Sequence, residues 1–306
     1  MKKNGLKIIA VLMILVLTLP LGGCGKPDEF EVSVLSQNLR ITASDGAENE
    51  VMLRSDRFLG LVDKYQPDLM GLQEFDPSWD FFLFSELEDR GYGLLFEYRG
   101  PGSFEATPIA YKKDKFELLE EKYFWLSDTP EEASPSWDDG NGKRCRIATE
   151  CIFKEKKSGI TFAHINTHFG LTDTAEINSS LLLHNWVKEN YAEMPVILTG
   201  DFNMREGGAG YPILMTGDTA GQGEELFLNS RHAALEKGMD CGTSNGFREK
   251  ESFDQYTSII DFVFVTKQIQ PTYYSVLTDK PEGYFVSDHF GVLTHHIVKN
   301  VPERRK

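Results

Sequence analysis

The sequence predicts an α/β protein whose β-sheets mix parallel and antiparallel strands. Apolar strand-like segments alternate with amphipathic helical segments along most of the 306-residue chain. Several neighbouring strand segments are joined by short turns, as in hairpins, which a pure βαβ repeat does not contain. With 41% hydrophobic and 12% aromatic residues and no repeat or linker, the chain can form one large domain. We therefore expect mixed sheets with helices packed outside them.

The elements follow from apolar spacing and turn residues, in chain order. Helices are predicted at 54–65, 75–90 and 174–191. Strands are predicted at 32–41, 69–75, 92–98, 108–113, 115–127, 146–169 (a hairpin), 195–200, 259–265, 272–278 and 291–298. The two strands within 108–127 are expected to pair with each other around a Lys-Asp turn. Residues 204–258 are rich in glycine and polar groups, so the most irregular region is expected there.

The N-terminus has the order of parts of a bacterial secretory signal. A basic start is followed by the apolar run IIAVLMILVLTL and by LGGC, which ends at Cys24. The run is short for a permanent membrane span, and LGGC resembles the lipobox of bacterial lipoproteins. A simple signal peptide with a chance cysteine, or an uncleaved anchor, is the alternative. We predict a signal peptide at 1–23, a lipid on Cys24, a tether at 24–30 and a domain at 31–300 on the outer face of the cell membrane.

The charge of the mature chain disfavours long polyanions as ligands. The full chain has a net charge of −15. Without residues 1–23, which carry three of the lysines, 29 basic side chains remain against 47 acidic ones, a net charge of −18. Such a surface repels nucleic acid, but a bound divalent cation changes the field locally. A nuclease is therefore disfavoured and not excluded.

The remaining cysteines indicate neither a disulfide framework nor a zinc site. Three cysteines remain, an odd number, and no two of them have CxxC spacing: Cys145, Cys151 and Cys241. Within one straight strand the first two would lie about 20 Å apart. We interpret all three as buried small apolar residues, with one disulfide as the alternative.

Polar residues close most of the apolar strands, and each has an ordinary structural interpretation when taken alone. Asp201 and Asn203, in GDFN, are common turn formers. Glu74 would be a solvated charge and His168 a core histidine. Asp261 is harder to explain in this way, because it lies inside the apolar SIIDFVFV and an unpaired buried carboxylate is costly.

Together these residue types fit metal-assisted hydrolysis. Mg²⁺ prefers carboxylate oxygens, which makes Glu74 and Asp288 suitable ligands. A water nucleophile needs a base, and a leaving alkoxide needs an acid or a cation. His289 oriented by Asp261 would form an imidazole–carboxylate pair. The acids would repel one another without a metal or bound protons, so we predict that Mg²⁺ or Mn²⁺ raises the thermal stability of the protein.

The motifs SQNLR, LQE, NTHF, GDFN, IIDFVF and SDHF, in this order, resemble the endonuclease/exonuclease/phosphatase superfamily with its deoxyribonuclease I-like fold. PIAYKKDKFELLE and FWLSDTPEE followed by RIAT resemble a bacterial branch of secreted hydrolases. The resemblance covers about residues 32–298. It implies a four-layer α/β/β/α sandwich of two mixed β-sheets with outer helices. It also implies a Mg²⁺-dependent phosphoesterase that acts by metal-assisted attack of water.

The resemblance implies a role for each motif residue. Glu74 is the expected principal Mg²⁺ ligand, with Asn38 and Asp288 beside the metal. The catalytic roles fall on His168 (phosphate binding or proton donation), Asp201 (activation of water), Asn203 (transition-state binding), Asp261 (orientation of His289) and His289 (proton transfer).

Two further residues match the family only loosely. Glu105 is expected to pair with His168. Arg146 is expected either to reach a phosphate or to form a surface ion pair. The family often has leucine where this chain has Phe169, and tyrosine or histidine where it has Phe262, but both changes leave the polar set intact.

The substrate class stays open at this point. A phosphomonoester or small phosphodiester fits the acidic surface, and an extracellular nuclease fits the location but not the charge. A phospholipid or sphingomyelin headgroup hydrolase fits the anchor, but Phe81, Phe82 and Phe84 have the helical spacing of core residues rather than of a membrane-entering hairpin. A non-enzymatic surface binding protein on the same scaffold is disfavoured because no motif residue is missing. We expect a monomer.

Overall fold

Two β-sheets lie face to face, and helices cover the outer face of each. The computed structural model describes residues 26–100, 103–138, 142 and 144–300. The mixed-sheet α/β sandwich expected from the sequence is confirmed. The predicted signal peptide and Cys24 lie outside the described residues. Within the described ranges, no helix has the length and apolar character needed to cross a membrane.

The bounds of the regular elements are as follows. The helices are α1 (Val51–Tyr65), α2 (Pro77–Asp89), α3 (Asp173–Asn190), α4 (Gly210–Thr216) and α5 (Ser230–Ala233). The strands are β1 (Glu29–Asn38), β2 (Leu69–Gln73), β3 (Tyr92–Leu95), β4 (Tyr98–Gly100), β5 (Ser103–Ala106), β6 (Ile109–Lys112), β7 (Phe116–Trp125), β8 (Ile147–Glu155), β9 (Thr161–His168), β10 (Val196–Asp201), β11 (Phe227–Asn229), β12 (Glu236–Lys237), β13 (Asp261–Thr266), β14 (Ile269–Leu277) and β15 (Gly291–Lys299).

Each large sheet has a parallel pair of strands near its middle. The first sheet has the strand order β12-β14-β15-β1-β2-β6-β3, with β1 and β2 parallel and Asn38 opposite Gln73. The second has the order β11-β13-β10-β9-β8-β7, with β9 and β10 parallel and His168 opposite Asp201. Strands β4 and β5 form a separate hairpin. Both parallel pairs end at the same end of the sandwich, because residues of the two pairs are hydrogen-bonded there.

The core has three apolar layers, one between the sheets and one beneath the helices on each side. Helix α2 shows how the sequence produces them. Asp76 accepts hydrogen bonds from the backbone N–H groups of Ser78 and Trp79, and a proline occupies the first turn. Trp79, Leu83 and Leu87 then recur at a spacing of four and are fully buried against the first sheet. All three described cysteines are buried and free, as the sequence analysis expects.

The structure corrects the expected pairing within 108–127. Strand β6 pairs with β2 and β3 in the first sheet, whereas β7 pairs with β8 in the second. The Lys-Asp turn therefore carries the chain from one sheet to the other. Strand pairing is decided by partners that are distant in sequence, and local alternation does not contain that information.

The structure also corrects two assignments of burial. Phe81 is 79% exposed and Phe84 is 46% exposed, so neither is a core residue. The buried face of α2 is centred on Leu83, and Phe81 points about 160° away from it at 100° per residue. Strand β1 begins at Glu29, and Phe30 is buried in the core, so the last two residues of the expected tether belong to the domain.

Candidate active site

The carboxyl ends of four central strands form one end of the sandwich, and each ends in a polar residue. Asn38 ends β1 and Glu74 follows β2, while His168 ends β9 and Asp201 ends β10. The loop before β15 reaches the same end because β15 is antiparallel to β1. All the sequence-predicted site residues in the described part of the chain lie at this end of the sandwich: Asn38, Glu74, Glu105, Arg146, His168, Asp201, Asn203, Asp261, Asp288 and His289.

Asp201 lies at the centre of the group. Its Oδ1 accepts a hydrogen bond from the backbone N–H of Asn203 (2.9 Å), and its Oδ2 accepts one from Asn38 Nδ2 (2.9 Å). Oδ2 also lies 3.6 Å from His168 Nε2 and 3.9 Å from His289 Nδ1. Burial acts to raise the pKa of Asp201, but the two imidazoles and the two hydrogen bonds outweigh it and lower the pKa. Asp201 is therefore ionised.

His168 is held by an acid on one side and an amide on the other. Its Nδ1 lies 3.1 Å from Glu105 Oε1, and its Nε2 lies 3.1 Å from Asn203 Nδ2. An amide nitrogen only donates, so these partners assign the proton of a neutral His168 to Nδ1. Nε2 is then the acceptor, directed towards Asn203 and Asp201.

The buried carboxylate of Glu105 interacts with three side chains: His168, Arg99 and Arg146. Arg99 Nη2 lies 2.8 Å from its Oε2, and Arg146 Nη1 lies 3.9 Å from its Oε1. Burial acts to raise the pKa of Glu105, but the hydrogen bond and charge of His168 and the two guanidinium groups lower it to about 2. Arg146 is 3% exposed, which rules out the surface ion pair. The sequence analysis missed Arg99, which lies in no recognisable motif.

His289 and Asp261 form the expected imidazole–carboxylate pair. His289 Nδ1 donates to both oxygens of Asp261, at 2.9 and 3.1 Å. Burial acts to lower the pKa of His289, but Asp261, Asp201 and Asp288 raise it well above the ordinary value. His289 is therefore protonated at neutral pH, and within the described ranges its Nε2 has no hydrogen-bond partner in the protein.

The donor set fits a hard divalent cation. Ligand atoms of Glu74, His168 and Asp201 lie within 4.8 Å of one another. Glu74 Oε1 accepts from Asn38 Nδ2 (3.0 Å), so one amide bridges the two carboxylates. Oxygen ligands of this kind suit Mg²⁺ or Mn²⁺, and Glu74 and Asp201 would hold the ion. Asp288 lies beside Arg40 (3.7 Å), and burial raises its pKa against the opposing charge of His289.

Three residues of the site adopt the left-handed backbone region that most side chains avoid. The φ angles are 63° at Arg40, 56° at Glu74 and 49° at Asn203. Such backbone costs about 1–3 kcal/mol for a residue other than glycine or asparagine, and it is retained where the surrounding structure fixes it. The sharp turn at each strand end directs these side chains across the end of the sandwich. Only Asn203, in the turn-like GDFN, was recognisable from sequence.

A segment of the irregular region forms part of the site wall. Thr243 Oγ1 accepts hydrogen bonds from the backbone N–H groups of Ile260 (3.1 Å) and Asp261 (3.2 Å). The carbonyl of Thr243 accepts the N–H of Phe290 (2.7 Å), and Ser244 forms a bridge with His289. This segment therefore joins the strand that carries Asp261 to the loop that carries His289, and no motif in the sequence marked it.

Comparison with models of known protein families identifies the family of this chain. The model of the endonuclease/exonuclease/phosphatase family matches residues 44–289. This chain belongs to the endonuclease/exonuclease/phosphatase family. Membership makes it a hydrolase of phosphate ester bonds.

Solved structures of family members from Bacteroides are similar to this chain. The endonuclease/exonuclease/phosphatase from Bacteroides vulgatus has 28% identity and a TM-score of 0.76, over 87% of this chain and 98% of that one. A family protein from Bacteroides thetaiotaomicron has 28% identity and a TM-score of 0.76, over 89% and 96%. A mannosyl-6-phosphatase from the same species has 29% identity and a TM-score of 0.72, over 87% and 99%. Comparison with curated proteins finds no match.

Proposed function

We propose that this protein is a Mg²⁺-dependent phosphatase that hydrolyses a small, soluble phosphomonoester. The observation that carries the proposal is the state of the groups around Asp201. The ionised carboxylate of Asp201 lies between the imidazole of His168 (3.6 Å) and the protonated imidazole of His289 (3.9 Å). A base for water and an acid for phosphate are therefore both present at neutral pH.

Each residue of the site has a chemical role that follows from its protonation state and its donors or acceptors. Asp201 accepts a hydrogen bond from the attacking water and orients it. His289 donates from Nε2 to a phosphate oxygen, and Asp261 holds the imidazolium in place. The amide of Asn203 donates to His168 Nε2 and to the carbonyl of Phe169, and it would exchange one of these contacts to donate to the equatorial oxygens, where charge accumulates. A divalent cation held by Glu74 and Asp201 would neutralise phosphate charge and lower the pKa of water.

The acidic surface and one neighbour support a small monoester over a nucleic acid. The net charge of −15 repels a polyanion but has less effect on a small phosphate ester that carries two charges. The Bacteroides thetaiotaomicron structure with 29% identity is a mannosyl-6-phosphatase, which favours a hexose phosphate. An extracellular nuclease and a phospholipid or sphingomyelin headgroup phosphodiesterase are the alternatives.

The test is hydrolysis by residues 25–306 with Mg²⁺, with Mn²⁺ or with EDTA. Substrates are mannose 6-phosphate, glucose 6-phosphate, p-nitrophenyl phosphate, bis-p-nitrophenyl phosphate, single-stranded DNA and sphingomyelin vesicles. We expect metal-dependent release of phosphate from the sugar phosphates, and a loss of at least 1,000-fold in kcat for Asp201→Asn. His295→Asn, a histidine on β15 outside the site, is the matched control. Preference for a diester, DNA or sphingomyelin would contradict the proposed substrate, and turnover in EDTA would contradict the metal.

We also propose that the protein is a lipoprotein anchored through Cys24 on the outer face of the cell membrane. The support is the order of basic start, apolar run and LGGC in the sequence. Expression with labelled palmitate in a bacterial host should label the wild-type chain and not Cys24→Ser. Equal label in both chains would contradict a lipidated Cys24.

A further inference from the structure

The candidate site is divided between the two sheets. The first sheet carries Asn38 and Glu74, and the second carries His168, Asp201 and Asn203. Productive geometry in such a site requires placement to within about 0.5 Å. Apolar packing between sheets is not directional, so the core alone does not fix the distance between the two halves.

One amide between the sheets supplies directional contacts at this point. Asn166 lies on β9 two residues before His168, on the same face, and is fully buried. Its Nδ2 donates to the carbonyl of Leu72 (2.7 Å) and to that of Pro108 (2.9 Å), both in or beside the first sheet. Its Oδ1 accepts from Gln73 Nε2 (2.7 Å). Three hydrogen bonds of Asn166 therefore cross from the second sheet to the first.

The amide is saturated. The fourth hydrogen bond comes from Thr199 Oγ1 (3.0 Å), which belongs to the second sheet like Asn166 itself. Two donors and two acceptor contacts use every hydrogen-bonding position of an asparagine side chain. A buried amide that is satisfied in full specifies one arrangement of its partners, since any other arrangement leaves polar groups unpaired.

The contacts of Asn166 lie next to residues of both halves of the site. Leu72 and Gln73 directly precede Glu74 on β2, while Asn166 precedes His168 on β9. The sheets approach closely here, because a Cβ added at Gly71 would lie 2.6 Å from Asn166 Oδ1. A change in the Asn166 contacts therefore alters the separation of Glu74 from His168 and Asp201.

We propose that Asn166 is a positioning residue that sets the distance between the two halves of the site. The inference rests on the proposed function, since it assigns Asn166 the task of aligning Glu74 with Asp201 for metal binding and hydrolysis. Gln73, on the first sheet, contributes to this positioning because its side chain donates to Asn166 Oδ1. Thr199 does not, because its bond to Asn166 stays within the second sheet.

The test compares Asn166→Ala and the milder Gln73→Met with a matched control, Thr199→Val. All three remove hydrogen bonds of fully buried residues, but only the first two remove bonds between the sheets. Free energies of unfolding, Mn²⁺ affinity by calorimetry, and kcat and KM on p-nitrophenyl phosphate are measured. We expect Mn²⁺ affinity at least 5-fold weaker and kcat at least 20-fold lower in Asn166→Ala, with smaller losses of the same kind in Gln73→Met. Thr199→Val should lose stability and stay within 2-fold of the parent in both site properties.

The outcomes separate the two proposals. Equal losses of Mn²⁺ affinity and kcat in Thr199→Val and Asn166→Ala, or parental values in Asn166→Ala, would overturn the positioning role while the parent remains an active phosphatase. If Asn166→Ala does not fold, Gln73→Met against Thr199→Val decides in the same way. A parent that neither binds Mn²⁺ nor hydrolyses any substrate would overturn the proposed function, and this inference with it.

Discussion

Glu105 acts on the candidate site through another residue. Its carboxylate holds the Nδ1 proton of His168, and Arg99 and Arg146 favour its ionised form. The imidazole is thereby fixed with Nε2 directed at Asn203. A neutral amide at this position would hold the ring less well and would leave two buried guanidinium groups with one fewer negative partner.

Glu105→Gln should lower kcat by about 10- to 100-fold, the range typical of partners that orient a functional histidine. KM should change less, because Glu105 is buried and acts through His168. Steady-state kinetics on p-nitrophenyl phosphate measure both. Glu155→Gln is the matched control, since Glu155 is a buried carboxylate at the opposite end of β8. Parental kcat in Glu105→Gln would contradict the role.

A divalent cation bound by Glu74 and Asp201 should stabilise the folded protein. Their carboxylates lie in one group with His168, where a cation relieves repulsion and binds only the folded chain. At 100 times its dissociation constant, the ion adds about 2.7 kcal/mol to the free energy of unfolding. Thermal unfolding with Mg²⁺ and Mn²⁺ measures the shift, which Glu74→Gln should reduce or abolish. No shift in the parent would contradict a metal site.

At the scale of the elements, Gly71 on β2 sets how closely the sheets approach. A Cβ at this position would lie 2.0 Å from Thr199 Oγ1, far inside van der Waals contact. The sheet must therefore move or the threonine must rotate out of a buried, hydrogen-bonded position. Both responses cost free energy, because the layer between the sheets is closely packed.

Gly71→Ala should lower the free energy of unfolding by about 1–3 kcal/mol, as overpacking at a buried site does. Gly60→Ala is the matched control. Gly60 lies on the exposed face of α1, where an added Cβ meets nothing within 4 Å. That change should stabilise the protein by about 0.5–1 kcal/mol through helix propensity. Urea unfolding measures both, and a neutral Gly71→Ala would contradict the close approach.

The sequence predicted the main elements well because their signal is local. Apolar residues at a spacing of four identify α2, and alternation with a Lys-Ser-Gly turn identifies the β8–β9 hairpin. The partner of a strand is not a local property, which is why β6 and β7 were wrongly paired. Exposure of Phe81 was also missed, because the buried face of α2 is fixed by what it packs against.

At the scale of the whole molecule, two histidines between the sheets link stability to pH. Burial lowers the pKa of His164 to about 3, and burial with the nearby charge of His295 lowers that of His296 to about 3. Both are neutral in the folded chain, and each binds a proton in the unfolded chain near pH 6.5. Their contribution is complete above pH 6.5 and is lost as the pH falls from 6.5 towards 3.

Each of these histidines should contribute a slope of about 1.4 kcal/mol per pH unit to the free energy of unfolding between about pH 6 and 4. Urea unfolding at a series of pH values measures the slope, and His296→Gln should reduce it by that amount. His232→Gln, at an exposed position, is the control for the loss of a histidine side chain. An identical slope in the parent and in His296→Gln would contradict the depressed pKa.

The candidate site was predictable as a set of residues but not as a geometry. Short strings such as GDFN and SDHF contain the residues, and their order carries the family resemblance. The saturated amide of Asn166, the pairing of Arg99 with Glu105 and the wall formed by Thr243 depend on contacts between distant residues, so no single string contains them. Asn166 lies inside the NTH motif and was still read as part of a strand.

Strand β1 runs the length of the sandwich, from Glu29 to the site residue Asn38, over about 30 Å. Glu29 follows Cys24 by five Cα–Cα steps, which span at most about 18 Å in an extended chain. With the anchor that we propose at Cys24, the catalytic end would point away from the lipid, into the surrounding medium. Water-borne esters meet that opening directly, whereas a headgroup in the same bilayer lies beneath the opposite end of the molecule.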